Sequence, residues 1–359
     1  MSVNFHSKLG RLFTTLQPPV FLSRMFSVMN YGRVVARALV NSVCPGDLEH
    51  IPIVSVFPRR ALQREIHSSP TTAPAQPFPC RIVSAACGFS KLDSPSKNSR
   101  RVPPAAVPHL DKRVFGDDAC FISYHKASEI WGVADGVGGW RAYGVDPSLF
   151  SKKLMDACEM LVKTGRFLPE QPADLLASGY QELLEDKKPL VGSSTACIMI
   201  VDKSKQTMHT ANLGDSGFRV VRKGEVVHRS IEQQHFFNTP YQLSITPEDS
   251  RAEMVHDRAE DSDTATFDLQ LGDLILTATD GLFDNMPDSE ILKKLSELKD
   301  NKYESIKQTA WSIAEHARDL SFDPDYLSPF AKQARRSGMN VIGGKPDDIT
   351  VLLSMVTGD

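Results

Sequence analysis

The chain has 359 residues, 41% of them hydrophobic and 24% charged, with a formal charge of -3, which is the makeup of a globular protein and excludes fibrous or wholly disordered designs. No acidic residue precedes Asp47, whereas Lys8, Arg11, Arg24, Arg33 and Arg37 do; taking those five from the 41 basic residues leaves 36 against 44 acidic, a charge of -8, which argues against general nucleic-acid binding. Six cysteines at irregular spacing without a C-x-x-C pair exclude a zinc knuckle or redox couple and read as free thiols of a reducing compartment, and no apolar run approaches the roughly 20 residues of a membrane span.

Residues 1–46 are acid-free, contain Ser and Asn, and set apolar residues around Arg33 and Arg37, the composition of a mitochondrial transit peptide. Arg37 interrupts the best run for a secretory signal. Eleven prolines fall between Cys44 and Pro108, so residues 47–80 read as a Pro-rich, disordered linker. The folded domain is expected at 81–357. Arg81 to Phe89 is short, apolar and bounded by Pro79 and a polar tract, which makes it the first strand, with 90–112 a loop or insertion.

Beyond Phe115 the pattern is regular. Ala119 to Tyr124 and Glu129 to Ala134 alternate as strands, and Pro147 to Thr164 and Ala173 to Glu185 carry apolar residues at helical spacing. Strands follow at Ser194 to Val201, Gln206 to Asn212, Gly217 to Arg222 and Glu225 to His228, the last two joined at Lys223-Gly224. Ser230 to Asp263 has few periodic cues and reads as a surface excursion. Strands return at Thr266 to Leu271 and Leu274 to Thr279, then helices at about 288–298, 302–320 and 328–336, and a last strand at 348–356. Meanders outnumber β-α-β crossovers, which favours an α+β class of antiparallel sheets with helices outside.

Two of these strands end on Asp-Gly. Glu129 to Ala134 delivers Asp135-Gly136, and Leu274 to Thr279 delivers Asp280-Gly281; Asp117-Asp118 and Asp347-Asp348 abut two further strands. One Asp-Gly alone is a turn dipeptide. Four acidic strand ends suggest one cluster, because gathered carboxylates raise one another's pKa unless a cation offsets the charge. Oxygen ligands without matching His or Cys favour Mg²⁺ or Mn²⁺ over Zn²⁺.

Other chemistries lack their parts. Gly214-Asp215-Ser216-Gly217 matches a serine-protease core, but Phe218-Arg219 follows where Gly-Pro should, so it reads as a tight hairpin between strands. Asp261-Ser262-Asp263-Thr264 has no buried strand before it, no cysteine has an Arg six positions on, and Gly343-Gly344-Lys345-Pro346 is a turn and not a phosphate-binding loop.

The ordered series G-D-D-A, V-A-D-G-V-G-G, G-S-S-T-A, A-N-L-G-D-S-G, T-D-G-L-F-D-N and K-P-D-D-I-T resembles the metal-dependent protein phosphatases of type 2C over about residues 82–357. It is most similar to the mitochondrial T-cell-activation branch. The resemblance implies a four-layer α-β-β-α sandwich with two central antiparallel β-sheets and two Mn²⁺ or Mg²⁺ ions per site. It implies a serine/threonine phosphatase in which the metals, roughly 3.5 to 4 Å apart, ready a bridging hydroxide for in-line attack.

By the same resemblance, Asp135, Asp280 and Asp118 are the catalytic acids. Asp135 bridges the metals, the Gly136 carbonyl ligates one, Asp280 and Asp347 complete the other, Asp118 engages directly, and Asp117 acts through water. Asp284, Asn285 and Asp348 orient the ligands. Arg113, four residues before the acidic pair, matches the family's phosphate-gripping Arg. One departure stands out: Val137 replaces the family's His, so the leaving group's proton would come from water or from another residue such as His125. The rival reading is a weakly active or inactive scaffold binding mitochondrial partners. The branch further implies phosphoprotein substrates of the matrix, including proteins of ubiquinone biosynthesis.

Overall fold

Alternation along the strands determines the layers. In the computed structural model, the described residues are 80–93, 114–188, 190–247 and 256–358. Their strands are β1 (Cys80–Phe89), β2 (Val114–Phe115), β3 (Asp118–His125), β4 (Ser128–Asp135), β5 (Gly192–Ser194), β6 (Ala196–Asp202), β7 (Thr207–Leu213), β8 (Gly217–Arg222), β9 (Glu225–Arg229), β10 (Gln234–Phe236), β11 (Thr239–Pro240), β12 (Leu243–Ile245), β13 (Asp263–Asp268), β14 (Leu274–Ala278) and β15 (Ile349–Gly358). The helices are α1 (Ser148–Lys163), α2 (Pro172–Leu184), α3 (Asp280–Phe283), α4 (Asp288–Leu295), α5 (Tyr303–Ser321) and α6 (Pro329–Arg336). The expected transit peptide at 1–46, the linker apart from Cys80, most of the 90–112 insertion, and Arg113 lie outside the described residues.

Two larger sheets, both antiparallel, carry the fold. One runs β13-β7-β6-β4-β3-β2, the other β1-β15-β14-β8-β9. On β6, Ala196, Ile198 and Ile200 face a core shared with α1 and α2, while Cys197, Met199 and Val201 face a second core between the sheets. On β15, Leu352 and Val356 enter that same middle core, and Ile349, Val351 and Leu353 pack against α5. A period of two therefore serves two buried faces, and apolar runs without polar alternation are the result. This is the expected α+β sandwich of helices, sheet, sheet and helices.

The short elements depart from the sequence expectations. The stretch from Ser230 is no plain excursion: β10 pairs with β11, β12 pairs with β5, and Leu243 is fully buried. Few-residue strands leave too little periodicity to read. The Leu213–Gly217 segment is not a hairpin either, because β7 and β8 belong to different sheets and the chain crosses between them, with Gly214 at φ +103°. The Lys223-Gly224 hairpin is as expected, both residues having positive φ. The five cysteines among the described residues are buried and in no disulfide among those residues, and no helix among those residues is long and apolar enough to cross a membrane.

One polar bond crosses the middle core. Trp131 Nε1 donates to Thr277 Oγ1 at 3.0 Å, and both residues are fully buried. Thr277→Val keeps the shape but strands the indole N–H, so it should cost about 1 to 3 kcal/mol in urea denaturation. A loss below about 0.5 kcal/mol would show that the bond does not matter to the packing of the sheets.

Candidate active site

The face that packs the sheets together turns acidic at one end. On β4, Trp131 and Val133 enter the middle core and Asp135 follows in the same phase; on β3, Cys120 shares its phase with Asp118. Asp118 and Asp135 are direct partners in the β3/β4 register. From the opposite sheet, Thr279 Oγ1 donates to Asp118 Oδ2 at 2.7 Å and Thr350 Oγ1 donates to the same atom at 2.8 Å. Thr350 N in turn donates to Thr279 Oγ1 at 3.0 Å, which fixes the pair.

Asp135 is held through its main chain. Its N–H donates to Thr195 Oγ1 at 3.1 Å, and its carbonyl accepts from Ser194 Oγ at 2.7 Å and Thr195 N at 3.0 Å. Thr195 Oγ1 also shares a 2.8 Å hydrogen bond with Ser216 Oγ, tying this loop to the neighbour of Asp215. The glycines after the two strand-end acids answer to crowding. A Cβ on Gly136 would stand 2.6 Å from the Pro147 carbonyl oxygen, and one on Gly281 would stand 2.0 Å from that of Asp348. Gly281 lies inside α3, which begins at Asp280.

One carboxylate oxygen each from Asp135, Asp215 and Asp280 lies within 4.8 Å of the others. Asp118 Oδ1, Asp215 Oδ1 and Asp280 Oδ1 are buried and have no hydrogen-bond partner among the described residues. Burial, and then the charges of Asp280, Asp118, Asp347 and Asp215, hold Asp135 well above the ordinary carboxylate range. Asp118 is raised by burial and by Asp348 and Asp280, and Asp215 by burial and by Asp280 and Asp284. Asp284 is pushed up to about 7 and Asp347 to about 6, each chiefly by burial and then by Asp280, with Lys345 opposing.

Asp280 is the exception: against its burial, Lys345 draws it below the usual value. A set of crowded, orphaned carboxylate oxygens without His or Cys suits hard divalent cations, which would relieve the repulsion.

Around this group the remaining expected residues fall as follows. Asp347 lies 3.2 Å from Lys345 Nζ and 3.9 Å from Lys91 Nζ. Asp348 orients backbone: its Oδ1 accepts from Lys91 N at 2.7 Å and its Oδ2 from Asp117 N at 2.8 Å. Asn285 accepts from Lys345 N at 2.7 Å and donates to the carbonyls of Gly281 and Lys345. Gly136 N donates to the Asp117 carbonyl at 3.1 Å. Asp117 itself is engaged by cations, Lys91 Nζ at 2.9 Å and the guanidinium of Arg141, and not by the other acids.

Val137 has only backbone groups to offer, its N–H donating to the Ser193 carbonyl at 3.0 Å and its carbonyl accepting from Trp140 N at 3.3 Å. His125 is ruled out as its substitute: it ends β3 seven residues from Asp118, roughly 23 Å along an extended strand, and packs edge-on against Phe167.

Sequence reasoning missed two members of the group. Asp215 was expected in a hairpin, although an acid within two residues of a strand end repeats the signal of Asp135 and Asp280. Lys345 was expected in a turn, yet its ammonium reaches Asp280, Asp284 and Asp347. Nothing local in the sequence marks it.

A family profile described as Stage II sporulation protein E (SpoIIE) matches residues 131–356. The protein phosphatase PTC7 homolog of Homo sapiens is 51% identical over 332 residues, covering 92% of this chain and 98% of its own length. The Xenopus laevis PTC7 homolog is 52% identical over 333 residues, with 92% and 98% covered. Among solved structures, the photosystem II phosphatase PBCP matches with a TM-score of 0.62 at 29% identity, over 77% of this chain and 99% of that one. A serine/threonine phosphatase of S. agalactiae matches at 15% identity and a TM-score of 0.50, a likeness of fold alone. With half its residues shared along nearly the whole length of such relatives, and with acids gathered where two antiparallel sheets meet, the chain belongs to the PP2C-type protein phosphatases.

Proposed function

We propose that this phosphatase removes phosphate from phosphoserine and phosphothreonine of proteins, that it depends on two Mn²⁺ or Mg²⁺ ions per site, and that it works in the mitochondrial matrix as a member of the T-cell-activation branch. The observation that carries the chemistry is the convergence of Asp118, Asp135, Asp215, Asp280 and Asp347, with one buried oxygen each of Asp118, Asp215 and Asp280 that no donor among the described residues satisfies. Asp135, the Gly136 carbonyl, Asp280, Asp347 and Asp118 would hold the cations, which when bound supply an acidified water and positive charge for the phosphoryl oxygens.

The chain's own residues do the positioning. Thr279 and Thr350 keep Asp118 Oδ2 occupied and so aim Oδ1 into the group. Ser194 and Thr195 hold the main chain of Asp135. Lys91 and Arg141, both paired with Asp117 and partly exposed, set positive charge beside the group where a phosphate would enter. Val137 donates no proton, so the leaving oxygen is protonated from solvent. Rigid acids and fixed cations are the preorganised charge from which such sites gain most of their rate.

Support for the location is the acid-free stretch of 1–46. That matrix proteins of ubiquinone biosynthesis are among the substrates rests on the resemblance to the branch alone.

In manganese-supplemented assays on a phosphoserine or phosphothreonine peptide, Asp135→Asn and Asp280→Asn should each lower kcat by about 100-fold or more. Near-native turnover in either variant would defeat the assignment. A wild-type chain that binds manganese but never turns over a phosphopeptide would favour the scaffold reading instead. Residues 1–46 fused to a fluorescent protein should direct it to mitochondria, and Arg33→Glu with Arg37→Glu should abolish this; a diffuse signal from the native segment would sink the matrix proposal.

A further inference from the structure

Lys345 stands inside the acidic group and not at its rim. Its Nζ lies 2.5 Å from Asp280 Oδ2, 2.7 Å from Asp284 Oδ2 and 3.2 Å from Asp347 Oδ2, and its side chain is 17% exposed. It is also braced. Asn285, fully buried, accepts from Lys345 N at 2.7 Å and donates to the Lys345 carbonyl at 2.8 Å and to that of Gly281 at 2.9 Å. One side chain thus ties the lysine to α3, the helix that begins at Asp280. The Phe330 ring lies 5.3 Å from the ammonium and itself packs against Phe237 at 5.2 Å, so this flank is apolar.

A lysine normally keeps its strongly hydrated head in water, and confining it costs side-chain entropy. Three carboxylates and a two-way backbone brace offset that cost here.

The inference rests on reading the acids as a cation site. Two of the lysine's three partners, Asp280 and Asp347, are those assigned to one of the two divalent cations; the third, Asp284, is not. An ammonium that donates to Asp280 and Asp347 uses lone pairs a divalent cation would need, and at such range its charge repels that cation. We propose that Lys345 is an internal competitor for the divalent cation held by Asp280 and Asp347, weakening that cation's binding relative to its neighbour's. Asp284 is the partner the ammonium keeps when it yields. The two cations then bind unequally, and activity follows the free concentration of the weaker one. The lysine is a positioning residue of the cation site and makes no bond to substrate.

Calorimetric titration of chelator-treated protein with MnCl₂ tests this. The wild type should show two affinities, and Lys345→Met should tighten the weaker by about tenfold or more. Lys345→Arg retains the charge and should titrate like the wild type. Thermal unfolding gives an independent reading. In chelator Lys345→Met should melt below the wild type, because uncompensated buried carboxylates remain, and saturating manganese should remove the deficit. Unchanged or weaker manganese binding by Lys345→Met, or equal tightening by Lys345→Arg, would overturn the proposal. If Lys345→Met does not fold, Lys345→Gln replaces it; failure of both to fold even with manganese would also overturn it. A wild type that binds no manganese would refute the metal-dependent reading itself, whereas two bound cations with no effect of Lys345→Met would refute only the competitor.

Discussion

Repulsion among carboxylates buried at one end of two packed sheets is the constraint around which the rest of this molecule is arranged. Burial and mutual charge lift Asp118, Asp135 and Asp215 far from their ordinary behaviour, and a fold tolerates such a cluster only when something compensates it. Hydroxyls from the opposite sheet take one oxygen of Asp118. Lys345 takes oxygens of Asp280, Asp284 and Asp347. The oxygens left over are the ones that suit divalent cations, so the compensation is partial in a way that serves chemistry.

That arrangement is possible because the middle of the sandwich is rigid. Trp131, Met199, Phe218, Ile275 and Leu352 close the space between the sheets, and close-packed interiors hold their geometry. Asp118 and Asp135 extend the same side-chain phase past the end of this core, so their positions follow from strand register, while Asp280 opens α3 and Asp215 and Asp347 stand on the short connections beside the strand ends. Gly136 and Gly281 contribute by having no side chain, since each sits where backbone from another element approaches within contact distance. Sites carried on strand ends are more exactly placed than sites on mobile connections.

The departures from the family pattern are informative in the same terms. Val137 removes a proton donor from the mouth of the site, while Asp117 is matched by Lys91 and Arg141 and so leaves two cations beside the acids. Under the proposed reaction, electrostatic positioning would have more to do, and proton donation by a side chain less. A lysine among the acids offsets part of their charge.

The sequence alone determined the alternating strands, the two long helical stretches after them, the class of antiparallel sheets with helices outside, and the strand-end acids Asp135 and Asp280, because side-chain period and Asp-Gly breaks are local signals. Six motifs in order also carried the family. Tertiary structure decided what depends on distance between remote segments. Asp215 joins the group because β7 and β8 lie in different sheets; Asp117 pairs with cations brought from Lys91 and Arg141; His125 is excluded by the length of one strand; and Lys345 reaches across 65 and 61 residues to Asp280 and Asp284. No periodicity records a contact between segments so far apart: the pairing of β14 with β15 in one sheet brings Lys345 to Asp280, and the packing of that sheet on the other brings Lys91 to Asp117.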